Sequence, residues 1–223
     1  MMMKIQRYIR DHEKVMYFLS LIYRSVMLNR IKGHKGLKII EGGCFLKKTT
    51  IANYGKNNVV EIGKGCRISN CKIQLFGDNN IVKIDRDCML KELDLWVSDG
   101  GNTEIGHNTY ITGKTHIACI EGKKVTIGER CLFSNDITFR TGDSHSILDM
   151  SGERVNPAAD ITIGDHVWIG QQVVVLKGAD VGTDSIVGTR ALVTGKAFKG
   201  NTVIGGSPAK VIRSGVTWHH ELK

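Results

Sequence analysis

Aliphatic residues fall on every sixth position at Ile163, Ile169, Val175, Val181, Val187 and Val193. A second row of small or aliphatic residues follows four positions after each of the first five, at Val167, Val173, Ala179, Ser185 and Ala191. Positions two apart in an extended chain share a face, so each hexad predicts one short strand with two inward side chains, and then a turn. Upstream a longer unit recurs as V-E-I-G-K-G-C, V-K-I-D-R-D-C, T-E-I-G-H-N-T, V-T-I-G-E-R-C and I-T-I-G-D-H-V, anchored at Ile62, Ile84, Ile105, Ile127 and Ile163. The anchors lie 22, 21, 22 and then 36 residues apart. One coil cannot bury its apolar side alone, so the repeats must stack, and stability accumulates between neighbours. The pattern predicts a parallel β-helix of three-sided coils. The early coils are expected to carry a few extra residues at a corner, and the long gap to hold an inserted loop.

Cys66, Cys88 and Cys131 stand four residues after an anchor, where Thr109 and Val167 stand in sister repeats. They are expected to be buried fillers, because free cysteine is among the most buried residue types. There is no C-x-x-C pair to suggest a metal. Residues 1–31 break the pattern, with almost no glycine and with Ile5, Ile9, Val15, Phe18, Leu19, Ile22, Val26 and Leu28 mixed among Lys and Arg. This predicts a basic amphipathic helix or helix pair that caps the open end of the β-structure; the alternative is contact with a membrane surface or a partner. Its nearly apolar stretch 15–23 is far shorter than the roughly 20 residues that span a bilayer. The expected organisation is a helical segment 1–31, a β-helix domain 32–213 with its loop at 140–160, and a tail 214–223.

Composition narrows the function. The formal charge of +9 allows nucleic acid, an anionic membrane or a phosphorylated small molecule as partner. No zinc-finger, helix-turn-helix or aromatic-basic signature is present, so nucleic acid is not expected. Six cysteines with no signal-peptide core before them point to the cytoplasm.

The interruption lies within R-T-G-D-S-H-S-I-L-D-M-S-G-E-R-V-N-P-A-A-D and contains Asp143, His145, Asp149 and Arg154, the ingredients of an acid-base site. An insertion that regular coils do not need is a candidate functional loop, and histidine transfers protons reversibly near neutral pH. His145 is therefore the candidate base. His107 and His166 sit in the polar turn of the repeat and read as merely exposed. Trp168 lies between two inward residues and must point outward, which requires a partner: the inserted loop, a subunit interface or a ligand. It is also the first coil residue after the loop, and is expected to approach His145 from the next turn.

The hexads of 163–193 and the run V-I-G-G-S-P-A-K-V-I-R resemble the hexapeptide-repeat acyltransferases, over roughly 59–213. The stretch D-I-T-I-G-D-H-V-W-I-G is similar to their acetyl-coenzyme A branch, which includes capsule and polysaccharide O-acetyltransferases. The resemblance implies a left-handed parallel β-helix, a homotrimer with sites between subunits, and acetyl-CoA as co-substrate. It also implies a saccharide acceptor, with His145 and Trp168 in the active site. Asp143 would orient the imidazole, and Gln171, Thr189, Thr194, Lys210 and Arg213 would hold the cofactor. The implied reaction is direct transfer to a sugar hydroxyl of a capsular or lipopolysaccharide glycan. Alternatives are transfer to serine, a small amine or an antibiotic, a non-catalytic scaffold, or a zinc enzyme on the same frame. The zinc enzyme would need three convergent histidines, and the loop lacks a close pair.

Overall fold

Every repeat anchor turns inward. In the computed structural model, which describes residues 13–222, Ile62, Ile84, Ile105, Ile127 and Ile163 are at most 2% exposed. The six-step residues Ile169, Val175, Val181, Val187 and Val193 are fully buried, as are Val167, Val173 and Ser185 between them. The strands form three faces of eight, eight and nine members. The first face includes Thr115–Cys119 and Ile137–Arg140, the second Lys124–Ile127 and Ile161–Ile163, and the third Leu132–Phe133 and Trp168–Ile169. Neighbouring coils pair in parallel, so the inward rows stack into one continuous core. The last strand, Ala209–Ser214, is the exception and runs antiparallel to Thr202–Gly206 at the end of the third face.

The corners follow from the sequence unit. The third residue after each of the five anchors, and after Val181, takes a positive φ: Gly65, Asp87, Asn108, Arg130, His166 and Asp184 lie between 53° and 73°. Gly, Asn and Asp adopt this conformation at little cost. Arg130 and His166 are held there by the ladder, donating their backbone N–H to His107 and Glu129 carbonyls at 2.9 and 2.7 Å. The extra residues of the early coils lengthen the first-face strands, to five in Lys72–Phe76 and six in Leu93–Ser98 against two in Leu192–Val193. They therefore widen a whole face as well as its corner, which makes that face a broader outer platform than the hexads alone predict.

All six cysteines are buried, and none is in a disulfide. Helix α1 (Glu13–Val26) buries Met16 and Ser20 and lies against Phe45–Lys47, the edge strand of the third face. Tyr23 meets Phe45 edge-on at 5.6 Å. The part of the predicted helical segment at 1–12 lies outside the described residues. No described helix is long and apolar enough to cross a membrane.

The turn histidines are more engaged than their position in the repeat suggests. His107 Nδ1 meets Glu129 at 2.9 Å, and His166 Nδ1 meets Asp184 at 2.7 Å. The C-terminal tail then folds back over the second of these. Trp218 stacks on the His166 ring at 4.4 Å and donates its indole N–H to the His166 carbonyl at 2.7 Å.

Candidate active site

The insertion leaves the solenoid at the corner between the first and second faces. Its neck is closed by the Ala159 N–H donating to the Thr141 carbonyl at 2.9 Å. Beyond the neck, residues 147–155 form a small hairpin. Leu148 bridges Arg154 in antiparallel fashion, and the Asp149 carboxylate accepts from Ser151 and from the Glu153 N–H at the tip. Ile147, Leu148, Met150 and Val155 all point into solvent. Asp149 is thus the turn former of the hairpin.

One buried asparagine organises the loop. Asn156, 6% exposed, donates its amide to the His145 carbonyl at 2.8 Å and to the Asp143 carboxylate at 2.7 Å. Its side-chain oxygen accepts from the Ile147 N–H at 2.7 Å and from Arg154 Nε at 3.2 Å. Asp143 also accepts from Lys177 Nζ at 2.6 Å. These two donors hold its carboxyl below the ordinary aspartate range. Asp143 was expected to orient the imidazole; among the described residues it accepts from Lys177 and Asn156, and through them it anchors the loop. Arg154 makes a two-pronged pair with Glu121 at 2.7 and 3.0 Å, tying the hairpin to the preceding coil and lowering the Glu121 pKa. Asp143, Asp149 and Arg154 thus each bond within the loop or to a neighbouring coil, while the imidazole of His145 is exposed.

His145 borders a cleft of about 630 Å³ that opens onto the first face. Trp96, His116, Glu121, Arg140 and Arg154 share its wall. His116 Nδ1 lies 3.2 Å from the Asp94 carboxylate, and Arg140 donates to Ser144 Oγ at 2.7 Å. Sequence reasoning passed over Asn156, Lys177, His116 and Trp96. Trp96 was accessible to the argument used for Trp168, because it too sits between two inward residues, Leu95 and Val97. His116 carries no such signal, since its partner Asp94 lies one coil away.

Trp168 is elsewhere. It is 41% exposed on the third face, 6.1 Å from Trp218, and does not border the His145 cleft. The expectation that it meets His145 from the next turn fails within one chain, because a strand that begins on the second face has already carried the backbone around the prism. Gln171 and Thr189 stand exposed at the corner after the third face, joined through the Arg190 N–H and Gln171 carbonyl at 2.9 Å. Lys210 pairs in register with Gly205, just above that corner, and Arg213 with Val203 further along the same strand. Both cations are exposed and carry no ion pair among the described residues. Thr194 follows the first-face strand Leu192–Val193 and so belongs to the loop's corner. Of the five proposed cofactor residues, Gln171, Thr189 and Lys210 thus gather at one corner, Arg213 lies further along the edge strand and Thr194 stands at another corner.

No family profile matches the chain. It is 32% identical over 126 residues to a polysialic acid O-acetyltransferase from Escherichia coli O1:K1 / APEC, a match covering 56% of this chain and 40% of that relative. The chain therefore spans well under two thirds of that relative's length. Among solved structures, it superposes on the polySia-specific acetyltransferase NeuO with a TM-score of 0.81 at 28% identity, covering 86% of this chain and 88% of the other. The polysialic acid O-acetyltransferase OatWY gives a TM-score of 0.74 at 30% identity, covering 87% and 89%. The stacked hexads, the single loop with its histidine and these likenesses together show that the chain belongs to the hexapeptide-repeat acetyltransferases and that its solenoid is their left-handed parallel β-helix.

Proposed function

We propose that the chain is an acetyl-CoA-dependent O-acetyltransferase that acts on a sugar hydroxyl of a bacterial capsular or lipopolysaccharide glycan. The observation that carries this reading is the exposed imidazole of His145, fixed through its own backbone by Asn156 at the rim of a cleft large enough for a sugar ring. In the proposed reaction His145 takes the proton from the sugar hydroxyl as the oxygen bonds to the thioester carbon. The carbon–sulfur bond then breaks, and the same imidazole returns the proton to the departing thiolate. The Trp168 indole N–H or a backbone amide would face the oxyanion as it forms.

His145 and Trp168 lie on different faces, so a site that uses both is complete only between two copies. The exposed apolar hairpin suits this arrangement: Ile147, Leu148, Met150 and Val155 from one copy would lie against the third face of the next, giving a homotrimer. Gln171, Thr189 and Lys210 at one corner, with Arg213 further along the edge strand and Thr194 on the loop side, would hold the donor. Lys210 and Arg213, exposed and without an ion pair among the described residues, fit its phosphates. When bound, acetyl-CoA supplies the activated acetyl group. Six cysteines outside any disulfide suit a reducing compartment, and we assign the reaction to the cytoplasm.

The test is incubation with acetyl-CoA and a panel of bacterial polysaccharides, reading release of the coenzyme thiol. His145→Ala should lower the rate by about a hundredfold to ten-thousandfold with an unchanged circular dichroism spectrum. Co-expression of His145→Ala with Trp168→Ala should recover part of the activity, because mixed trimers contain intact sites. Release with serine or an amine but with no saccharide would replace the glycan by a small acceptor, and stoichiometric zinc in the active protein would count against the mechanism.

A further inference from the structure

On the widened first face, three rings stack across successive coils and the stack then stops. Tyr54 lies on Phe76 with ring centroids 4.8 Å apart, and Phe76 lies on Trp96 at 4.2 Å, with interplanar angles of 16° and 22°. In the next coil the residue in register with Trp96 is Ala118, and beyond it comes Arg140. The alanine, 5% exposed, ends the stack and borders the cleft, which forms the gap in the row of rings. Phe76 therefore covers one face of the indole, while the other borders the cleft that His145 lines. Trp96 is 39% exposed there, an unusual position for the largest apolar side chain unless something covers it.

We propose that the free face of Trp96 is the platform on which the acceptor's sugar ring stacks, with the His116–Asp94 pair as its polar anchor; this rests on the transferase reading given above. The electron-rich face of an indole attracts the slightly positive C–H bonds that line one side of a pyranose. Its stack on Phe76 and Tyr54 fixes the ring before a ligand arrives, which lowers the ordering cost of binding. Asp94 engages His116 Nδ1 at 3.2 Å, so the Nε2 atom is the one left for a sugar hydroxyl. Arg140 lies across the gap, held by Ser144 at 2.7 Å, and can donate to hydroxyl or carboxylate groups on the far edge of the ring. A ring seated over Ala118 lies in the same cleft as His145, so one of its remaining hydroxyls can face the base.

The test combines binding with kinetics on the full chain. Saturation-transfer NMR with oligosialic acid, and with a maltooligosaccharide as neutral comparison, reads which sugar protons contact the protein without acetyl-CoA. Wild type should transfer to ring protons of at least one probe. Trp96→Ala should abolish that transfer and raise the acceptor KM by about tenfold or more at unchanged acetyl-CoA KM, whereas Trp96→Phe keeps both near wild type. Ala118→Leu fills the gap while leaving the stack intact and should raise the acceptor KM in the same way, which separates loss of the platform from misfolding. If the probes bind through Trp96 but no saccharide is acetylated, the subsite stands and the transferase reading fails. Binding that survives Trp96→Ala overturns the subsite whatever the activity, as does a wild type that binds neither probe. A change of oligomeric mass in Trp96→Ala with the acceptor KM unaltered also overturns it, by assigning the ring to a contact between copies.

Discussion

Asn156 illustrates how one buried side chain can set a reactive one without touching its ring. Its amide holds the His145 carbonyl, its oxygen holds the Ile147 N–H, and it shares Asp143 with Lys177. Asn156→Ala leaves these groups unmet, a loss of about 1–3 kcal/mol. Because a misplaced base is a slow one, kcat should fall on the order of tenfold to a hundredfold with acetyl-CoA KM little changed. Asp143→Asn should act more weakly, through the ion pair alone. The sign of its pH dependence follows from the lowered carboxyl pKa. An aspartate held below its ordinary value contributes stability that is fully present above that value, and loses it only as pH falls through the folded value. Proteolysis of the loop should therefore be slow in wild type down to about pH 4, whereas Asp143→Asn is cut faster throughout. Faster cleavage of wild type already at about pH 6 would remove the ion pair from this role. His145 itself was legible in the sequence, since it lies in the one break of the repeat. Its supports were less so: Lys177 lies beyond the loop, and a hydrogen-bonding asparagine carries no period.

The hairpin is the element whose surface is least like the rest of the coil. Apolar residues of a surface loop ordinarily turn inward, yet Ile147, Leu148, Met150 and Val155 face out around a well-bonded turn. If the hairpin builds the proposed trimer, Leu148→Asp with Met150→Asp should give monomers by light scattering and remove transfer activity, while the circular dichroism of the β-helix persists. A double variant that remains trimeric and active would assign these side chains no role in assembly. The gap of 36 between anchors announces an insertion but says nothing of its internal form, because a hairpin this short is set by Asp149 and Asn156. The widened first face was likewise partly hidden. Anchor spacings count residues per coil and do not say whether the surplus joins a strand or a corner.

At the scale of the whole solenoid, each coil depends on the two it touches, and the level that carries the loop is filled by Phe133 and Phe139, parallel at 5.6 Å. Phe139→Ala should cost about 3–5 kcal/mol, read as a lower midpoint in urea, because aliphatic neighbours cannot close the space of a ring. A shift below about 1 kcal/mol would mean that the coils above and below collapse onto the vacancy. The core was the most legible part of the molecule, since a six-residue step leaves each inward position a single chemistry, and it needed only stacking to become three faces. The joining of sites across faces was not legible, because spacing along a strand carries no information about which side of a prism follows. The same tightly filled interior has a practical side. Burial pushes the thiols of Cys71 and Cys131 up to about 11 and about 12, and raises that of Cys119 as well. Because all six cysteines are buried, a thiol-reactive dye added to the folded enzyme should be titrated by liberated coenzyme against a flat baseline, and any rise in that baseline on warming would report the prism coming apart.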